Sequence, residues 1–246
     1  MYKQKTYPAL LITTAVNASA NRTQMTHTGD RLNTCLQALK YWLDSDFTDI
    51  VICDGSGFDF SENIKAINLT DRKINIEILH FINNNAAVKI KGKGFGEGEI
   101  VDYALRNSEI LRAHDSFAKC TGKLWVDNYR SIINNFNMTA SFDFNGLFPI
   151  KQIDTRFYIT SKVFYEKHLV NTHNAVDENS TYYLEHAFKD SLSSIKLASY
   201  LMLPIPKIQG WSGSQNICYT DKPLKRFLRN IRSLLIRTFQ RQSNLL

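Results

Sequence analysis

The sequence lacks the long apolar segments that mark membrane-spanning and exported proteins. No stretch approaches the ~20 consecutive apolar residues that a helix needs to cross a bilayer. The apolar run ALLITTAV, residues 9–16, is short, rich in β-branched residues and without a small-residue cleavage pattern. It therefore predicts a buried first strand rather than a signal peptide, and we expect a cytoplasmic protein.

Cysteine is scarce and scattered. The four cysteines form no CxxC pair, and none has a histidine at zinc-ligand spacing. This pattern predicts thiols that pack in the core of a protein in a reducing compartment, rather than disulfides or a structural zinc site. The cysteines are Cys35, Cys53, Cys120 and Cys218.

Acidic residues are missing from the C-terminal tail. The net charge is +7, and the seven basic residues from Lys222 onward account for all of it, because the other 23 basic residues match the 23 acidic ones. We therefore expect a main domain at 1–221 and a basic amphipathic helix at 222–246. Such a helix binds anionic membranes, with about 1 kcal/mol from each basic residue. The alternative is a helix docked on the protein's own core. The expected apolar face consists of Leu224, Phe227, Leu228, Ile231, Leu234, Leu235 and Phe239.

Continuous apolar runs and helical periodicity alternate in the first half of the chain. The runs at 9–16, 49–55 and 76–82 are typical of parallel strands that are covered on both faces. A helix between the first two carries Leu32, Cys35, Leu36, Leu39, Trp42 and Leu43 on one face. The pattern predicts an α/β nucleotide-binding domain with a mostly parallel sheet flanked by helices. Further on we expect one or two strands at 116–126, a strand at 156–165, a helix carrying Leu184, and a loop at 203–216.

Polar residues follow the first two predicted strands. In an open parallel sheet, ligands bind beyond the carboxyl ends of the strands. Thr13, Thr14 and Asn17 stand at one such end and Asp54 at the other, so we expect all four to bind a nucleotide donor. A simple turn at Asp54 is the alternative.

A glycine-lysine segment, KIKGKGFGEGEI at 89–100, leads into a second predicted helix, whose apolar residues are Ile100, Val101, Ala104, Leu105 and Leu111. It matches neither the dinucleotide fingerprint nor the phosphate-binding P-loop. Alternating glycines let a backbone approach a ligand closely, and Lys91 and Lys93 are suited to contact a diphosphate. The alternative is a flexible surface hairpin.

Several motifs in order, over residues 8–220, resemble the GT-A glycosyltransferases, in particular the small enzymes of bacterial lipopolysaccharide, O-antigen and capsule synthesis. The motifs are LLITTAV, VICDGSG, GKGFGEGEIVDYAL, FAKCTGKLWVDN, IDTRFYITSKVFY, YYLEHAF and GWSGS. The resemblance implies that CDGSG holds uridine and that the strand after the glycine-lysine segment carries a metal-binding DxD. Here that strand reads KCTGK. Either Asp127 binds Mn²⁺ or Mg²⁺, or Lys119 and Lys123 neutralise the diphosphate in place of a metal.

The resemblance also implies a general base near the start of a helix beneath the acceptor, where this chain has Glu185. His186 and Trp211 are expected to contact the acceptor. Asp154 and Arg156 lie two apart on a predicted strand and face the same way, so they form an ion pair or divide between acceptor and phosphate. We count Asp154 with Glu185 as catalytic candidates and Arg156 as an acceptor contact.

The expected function is transfer of a hexosyl unit, by family analogy galactose in pyranose or furanose form, from a UDP-sugar to a lipid-linked glycan. The expected location is the inner face of the plasma membrane. A sugar-nucleotide nucleotidyltransferase is the first alternative, although ITTAVNASANRT lacks the glycine-rich signature expected after the first strand. A nucleic-acid-binding protein is the second, and we expect no nucleic-acid partner because the aromatics of the tail lie on its apolar face.

Overall fold

The computed structural model describes residues 7–17, 24–67, 73–145, 150–213, 217–219, 227–232 and 234–235. The strands are β1 (Ala9–Thr14), β2 (Asp49–Asp54), β3 (Asn75–His80), β4 (Ser116–Thr121), β5 (Leu124–Val126), β6 (Ala140–Asn145), β7 (Gln152–Ser161), β8 (Ile208–Ser212) and β9 (Ile217–Tyr219). The helices are α1 (Thr28–Leu43), α2 (Ser61–Lys65), α3 (Asn85–Lys91), α4 (Lys93–Asn107), α5 (Glu109–Ala113), α6 (Tyr129–Asn134), α7 (Lys162–His168) and α8 (Leu184–Ser191).

Six strands form a central sheet in the order β3-β2-β1-β4-β7-β6. Strand β1 pairs in parallel with β2 and β4, and β2 pairs in parallel with β3. Strand β7 runs antiparallel to both β4 and β6. The predicted mostly parallel α/β sheet is confirmed. Strands β5, β8 and β9 form a smaller antiparallel sheet beside it.

Successive residues of β1 enter two different hydrophobic clusters. Leu10 packs in the cluster that contains Trp42 of α1, whereas Leu11 packs in the one that contains Val101 of α4. Because neighbouring side chains of a strand point to opposite faces, the sheet is covered on both sides. This explains why the strand sequences are continuously apolar rather than alternating.

Two predictions about the second half were wrong. The strand expected at 156–165 ends at Ser161, whose side chain accepts a hydrogen bond from the amide of Phe164 (3.2 Å) and so caps α7. The loop expected at 203–216 contains a strand, because residues 208–210 pair with β5. In both segments the local sequence favours one structure, but a contact made in the folded protein sets another. The Ser161 cap starts a helix where a strand was predicted, and pairing with β5 forms a strand where a loop was predicted.

The glycine-lysine segment is neither a loop nor a hairpin. Gly94, Gly96 and Gly98 lie inside α4, where each leaves room for a neighbour. A Cβ on Gly98 would lie 2.4 Å from the Cβ of His173, so only glycine lets α4 pack this closely. The surface hairpin given as the alternative is therefore wrong, and Gly96 lies in the lining of the cavity described below.

Residues 227–232 and 234–235 are helical and form the C-terminal helical segment. Its arginines turn inward: Arg229 forms an ion pair with Asp143 of β6, and Arg232 donates to the carbonyl of Phe144. Its apolar side chains are exposed, with Phe227 at 60% and Leu228 at 58%. Within the part of the chain that the structure describes, no helix has the length and apolar content needed to cross a membrane.

Candidate active site

A cavity of about 420 Å³ lies at the carboxyl ends of β1 and β4. The α1, α4 and α8 helices, strand β7 and the small sheet also contribute to its lining. This is the edge where the sequence predicts ligand binding. The predicted site residues that line it are Thr13, Thr14, Lys93, Lys123, Asp154, Arg156, Glu185 and Trp211.

Lys123 places a buried positive charge in this cavity. It follows Gly122, where an added Cβ would come within 2.2 Å of Thr14, so the turn after β4 is pressed against the end of β1. Lys123 is only 9% exposed, and among the described residues its ammonium has no hydrogen bond and no ion pair. Burial lowers the pKa of Lys123, and the nearby Arg31 guanidinium adds to this effect. A buried cation in this position favours an anionic ligand.

Arg31 is a second buried cation on the same side, and the sequence analysis missed it. Its guanidinium donates to the carbonyls of Ala15 and Val16 from the first turn of the chain after β1 (2.9 Å to Val16), and to Met25 (3.0 Å). It therefore fixes the segment beyond β1 while adding positive charge to the cavity. The sequence did offer one signal for Arg31, because a charged residue on the apolar face of α1, one residue before Leu32, indicates a buried role.

Glu185 enters the cavity from the first turn of α8. The hydroxyl of Thr155, on β7, donates to its Oε1 atom (3.1 Å). Burial raises the pKa of Glu185, and the carboxylates of Glu97 and Asp154 raise it further. A carboxylate with a raised pKa is suited to accept a proton near neutral pH.

Glu97 is a second carboxylate in the cavity that sequence analysis did not single out. It lies on α4 and pairs with Lys119, which is 1% exposed. Lys119 also donates to the Thr121 hydroxyl (3.0 Å) and the Thr155 carbonyl (2.8 Å). Lys119 does not line the cavity, so its predicted direct contact with a donor diphosphate has no geometric support.

Asp154 and Arg156 form an ion pair. The guanidinium of Arg156 donates to both carboxylate oxygens, and its carbon lies 5.0 Å from the ring centroid of Tyr219. Burial raises the pKa of Asp154, but the guanidinium and backbone amide of Arg156, with the charge of Arg229, hold it below its ordinary range. Because Asp154 is 3% exposed and both oxygens are occupied, it is poorly placed to take a proton from a substrate.

Asp54, predicted to bind the donor, is occupied by the protein itself. It is fully buried, and its two oxygens accept from the hydroxyl of Thr14 (2.7 Å), the amide of Val16 (3.0 Å), and Ser56 and Phe58. It lies behind the cavity and organises the loops around it. Asn17 also lies outside the lining, with its amide donating to the Ser56 hydroxyl (2.9 Å).

His186 lies in the first turn of α8 and outside the cavity lining. Its Nδ1 atom accepts from the amide of Tyr183 (3.0 Å), and its Nε2 atom lies 2.9 Å from the side-chain nitrogen of Gln152. These contacts orient the first turn of α8 and therefore Glu185. Of the residues predicted to contact the acceptor, Arg156 and Trp211 lie in the lining.

The residues at this edge do not fit a divalent cation. Asp127, the predicted ligand, lies outside the cavity lining and accepts from the side chains of Trp125 (3.2 Å) and Gln209 (2.9 Å). Over the described ranges, no three His, Cys, Asp or Glu residues are grouped as metal ligands. The resemblance places acidic metal ligands at the end of β4. In this chain the buried cations Lys123 and Arg31 lie there instead, and they would repel a metal ion.

Several solved structures are similar to this one. The inositol-1-phosphate CTP transferase from T. maritima matches over 93% of this chain and 98% of its own, at 9% identity and a TM-score of 0.53. The glycosyltransferase GlyE of Streptococcus pneumoniae matches over 96% and 65%, at 9% identity and a TM-score of 0.49. Core-mannan synthase A from Aspergillus fumigatus, in its Mn/GDP form, matches over 93% and 84%, at 10% identity and a TM-score of 0.45. No family model matches the sequence, and no curated protein matches it significantly.

The first of these likenesses shows that this chain shares its fold with that CTP transferase. At 9% identity it does not show which reaction this chain performs.

Proposed function

We propose that the protein is a glycosyltransferase that moves a hexosyl unit from a UDP-sugar to a hydroxyl of a lipid-linked glycan. The observation that carries the proposal is the cavity that combines a buried, unneutralised Lys123 with the carboxylate of Glu185. The lysine is suited to the diphosphate of a nucleotide sugar. The glutamate is suited to the proton of an acceptor hydroxyl.

The chemistry follows from these two groups. In an inverting transfer, Glu185 takes the proton of the acceptor hydroxyl while the oxygen of that hydroxyl attacks the anomeric carbon of the donor. The bond from that carbon to the diphosphate oxygen breaks, and UDP leaves with the electron pair. Lys123 and Arg31 balance the negative charge that grows on the leaving diphosphate, which is the work of a metal ion in many such enzymes. The sugar is proposed to be galactose, as pyranose or furanose.

A thermal-shift panel tests the proposal. UDP and UDP-sugars are expected to raise the melting temperature, with the same shift in EDTA and in Mn²⁺. A shift that appears only with Mn²⁺ would contradict charge compensation by Lys123. No shift with any uridine nucleotide would contradict the donor assignment.

The same panel separates the two alternative functions. A nucleotidyltransferase is expected to be stabilised by a nucleoside triphosphate and a sugar phosphate rather than by a UDP-sugar. A nucleic-acid-binding protein is expected to bind single-stranded DNA or RNA with a steep salt dependence. Stabilisation by UDP-sugars without such binding favours the transferase.

Membrane attachment through the C-terminal helical segment is the second part of the proposal. Arg229 and Arg232 contact β6, so the lipid contact rests on the exposed apolar side chains and on the remaining basic residues of 222–246, which lie outside the described residues. Leu228 and Leu235 are 58% and 45% exposed. This arrangement suits a protein bound to the inner face of the plasma membrane, where a lipid-linked acceptor is available.

Flotation with anionic vesicles tests this attachment. Replacing Leu228 and Leu235 together by serine is expected to lower vesicle binding about ten-fold or more, because apolar burial contributes about 25 cal/mol per Å². Nucleotide binding is expected to stay unchanged. Val163→Ser, at an apolar residue that is 73% exposed on α7, is the matched control and should bind vesicles normally. Normal binding by the double variant would contradict the attachment.

A further inference from the structure

Glu97 lines the cavity and has one oxygen that accepts no hydrogen bond from the described residues. The hydrogen bonds that it receives from Lys119 and from the Thr121 hydroxyl (2.8 Å) both end on Oε1. Within the described ranges, Oε2 receives none. The side chain is 25% exposed and belongs to the cavity lining. The fold therefore anchors this carboxylate by one oxygen and presents the other.

The surroundings keep Glu97 ionised. Burial raises the pKa of Glu97, but the ammonium of Lys119, the Thr121 hydroxyl and the charge of Lys93 together lower it, so that the pKa lies below its ordinary value. The same Lys119 donates to the carbonyl of Thr155, whose hydroxyl donates to Glu185. The two glutamates are thus linked through one lysine and one threonine, yet their pKa values shift in opposite directions. Opposite shifts in one cavity assign the two carboxylates different tasks.

An ionised carboxylate only accepts hydrogen bonds. A phosphate oxygen facing Oε2 of Glu97 would be repelled, whereas a sugar hydroxyl would donate to it. Between a diphosphate held at Lys123 and an acceptor hydroxyl at Glu185, the group that carries such hydroxyls is the transferred sugar. Lys93, one helical turn before Glu97 on α4, lies in the same lining and supplies positive charge nearby.

We propose that Glu97 determines donor specificity by accepting hydrogen bonds from hydroxyls of the transferred sugar, while Lys119 holds it in place. The preferred donor class is then an uncharged, hydroxyl-bearing hexose rather than a uronic acid, because a second carboxylate would be repelled. This inference rests on the proposed function and adds the residue that distinguishes a UDP-sugar from UDP.

Calorimetric titration of the full chain with UDP, UDP-galactose and UDP-galacturonic acid tests it. In the wild type, UDP-galactose is expected to bind more tightly than both UDP and the uronate. Glu97→Gln keeps the size of the side chain and an oxygen for Lys119, and is expected to lose about ten-fold of the advantage of UDP-galactose over UDP. The affinity for UDP itself should not fall, which also shows that the variant is folded.

Glu99→Gln is the matched control on the same helix. Glu99 accepts from the amide of Asn84 (2.9 Å) and lies outside the cavity lining, so its variant should keep the full advantage of the sugar. An unchanged advantage in Glu97→Gln, or a wild type that prefers the uronate, would overturn the inference while leaving UDP binding in place. A wild type that binds none of the three would instead overturn the proposed function, and the inference with it.

Discussion

The two sides of the cavity treat charge in opposite ways. On the cationic side, Arg31 and Lys123 are buried, and neither forms an ion pair with an acidic residue of the described chain. On the acidic side, Glu97 and Asp154 each have a basic partner, whereas Glu185 has no cationic partner among the described residues and accepts from the Thr155 hydroxyl. The groups without an oppositely charged partner are therefore the two cations Arg31 and Lys123 and one carboxylate with a raised pKa, Glu185. This difference supports the proposed diphosphate site at Lys123 and the proposed proton acceptor at Glu185.

The largest expected effect comes from the carboxylate without a cation. Glu185→Gln removes the proton acceptor and is expected to lower the rate of UDP release from the preferred UDP-sugar by about 10²–10⁴-fold. The affinity for UDP should change little, because Lys123 and Arg31 remain. Initial rates and calorimetry on the same preparation measure both quantities. Glu166→Gln, at an exposed residue of α7, is the control and should keep the wild-type rate.

The pH dependence provides a second readout for Glu185. A general base works only when it is deprotonated, and burial raises the pKa of Glu185. The acid limb of kcat/KM should therefore lie at higher pH than the ordinary glutamate value of about 4.3. An acid limb at or below that value, or a Gln variant with the wild-type rate, would assign the base to another residue.

Sequence patterns predicted the sheet and the edge at which the cavity lies, but not the individual contacts there. Apolar runs and helical periodicity depend on neighbours along the chain, so they located β1, β2 and α1. Glu97 and Arg31 were not predicted because their partners are distant in sequence. Glu97 pairs with Lys119, and Arg31 donates to carbonyls beyond β1. Asp54 was correctly placed at a strand end, yet a sequence does not show that five protein donors occupy its oxygens.

The cationic side predicts a trade between stability and binding. Lys123→Met removes a buried charge and is expected to stabilise the fold by about 1–2 kcal/mol, while weakening UDP binding about 10–100-fold. Because the folded pKa is lowered, the unfolded chain binds the proton more strongly. Wild-type stability should therefore rise with pH through the lowered pKa toward the ordinary value of about 10.4, and the variant should lack this rise.

Urea unfolding from pH 7 to 10 and UDP titration at pH 7.5 measure the two halves of this trade. Lys40→Met, at an exposed residue of α1, is the matched control and should change neither quantity much. A Lys123 variant that is less stable than the wild type would mean that the ammonium has a stabilising contact. A variant that binds UDP normally would remove Lys123 from the diphosphate site.

The smallest expected effect tests the ion pair between Arg229 and Asp143, which lies next to Asp154 of the acidic side. Asp143 lies opposite Asp154 in the sheet, and burial raises its pKa to about 6 although Arg229 and Arg232 act against this. A raised folded pKa means that the ionised form is the costly one, so Arg229 matters only above about pH 6. Arg229→Gln is expected to lower the free energy of unfolding by about 1–2 kcal/mol at pH 8 and by much less at pH 5. Urea unfolding at both pH values checks this, with the exposed Arg106→Gln as control. An equal loss at the two values would show that Arg229 contributes packing rather than charge, and that the C-terminal helical segment is not held by Asp143.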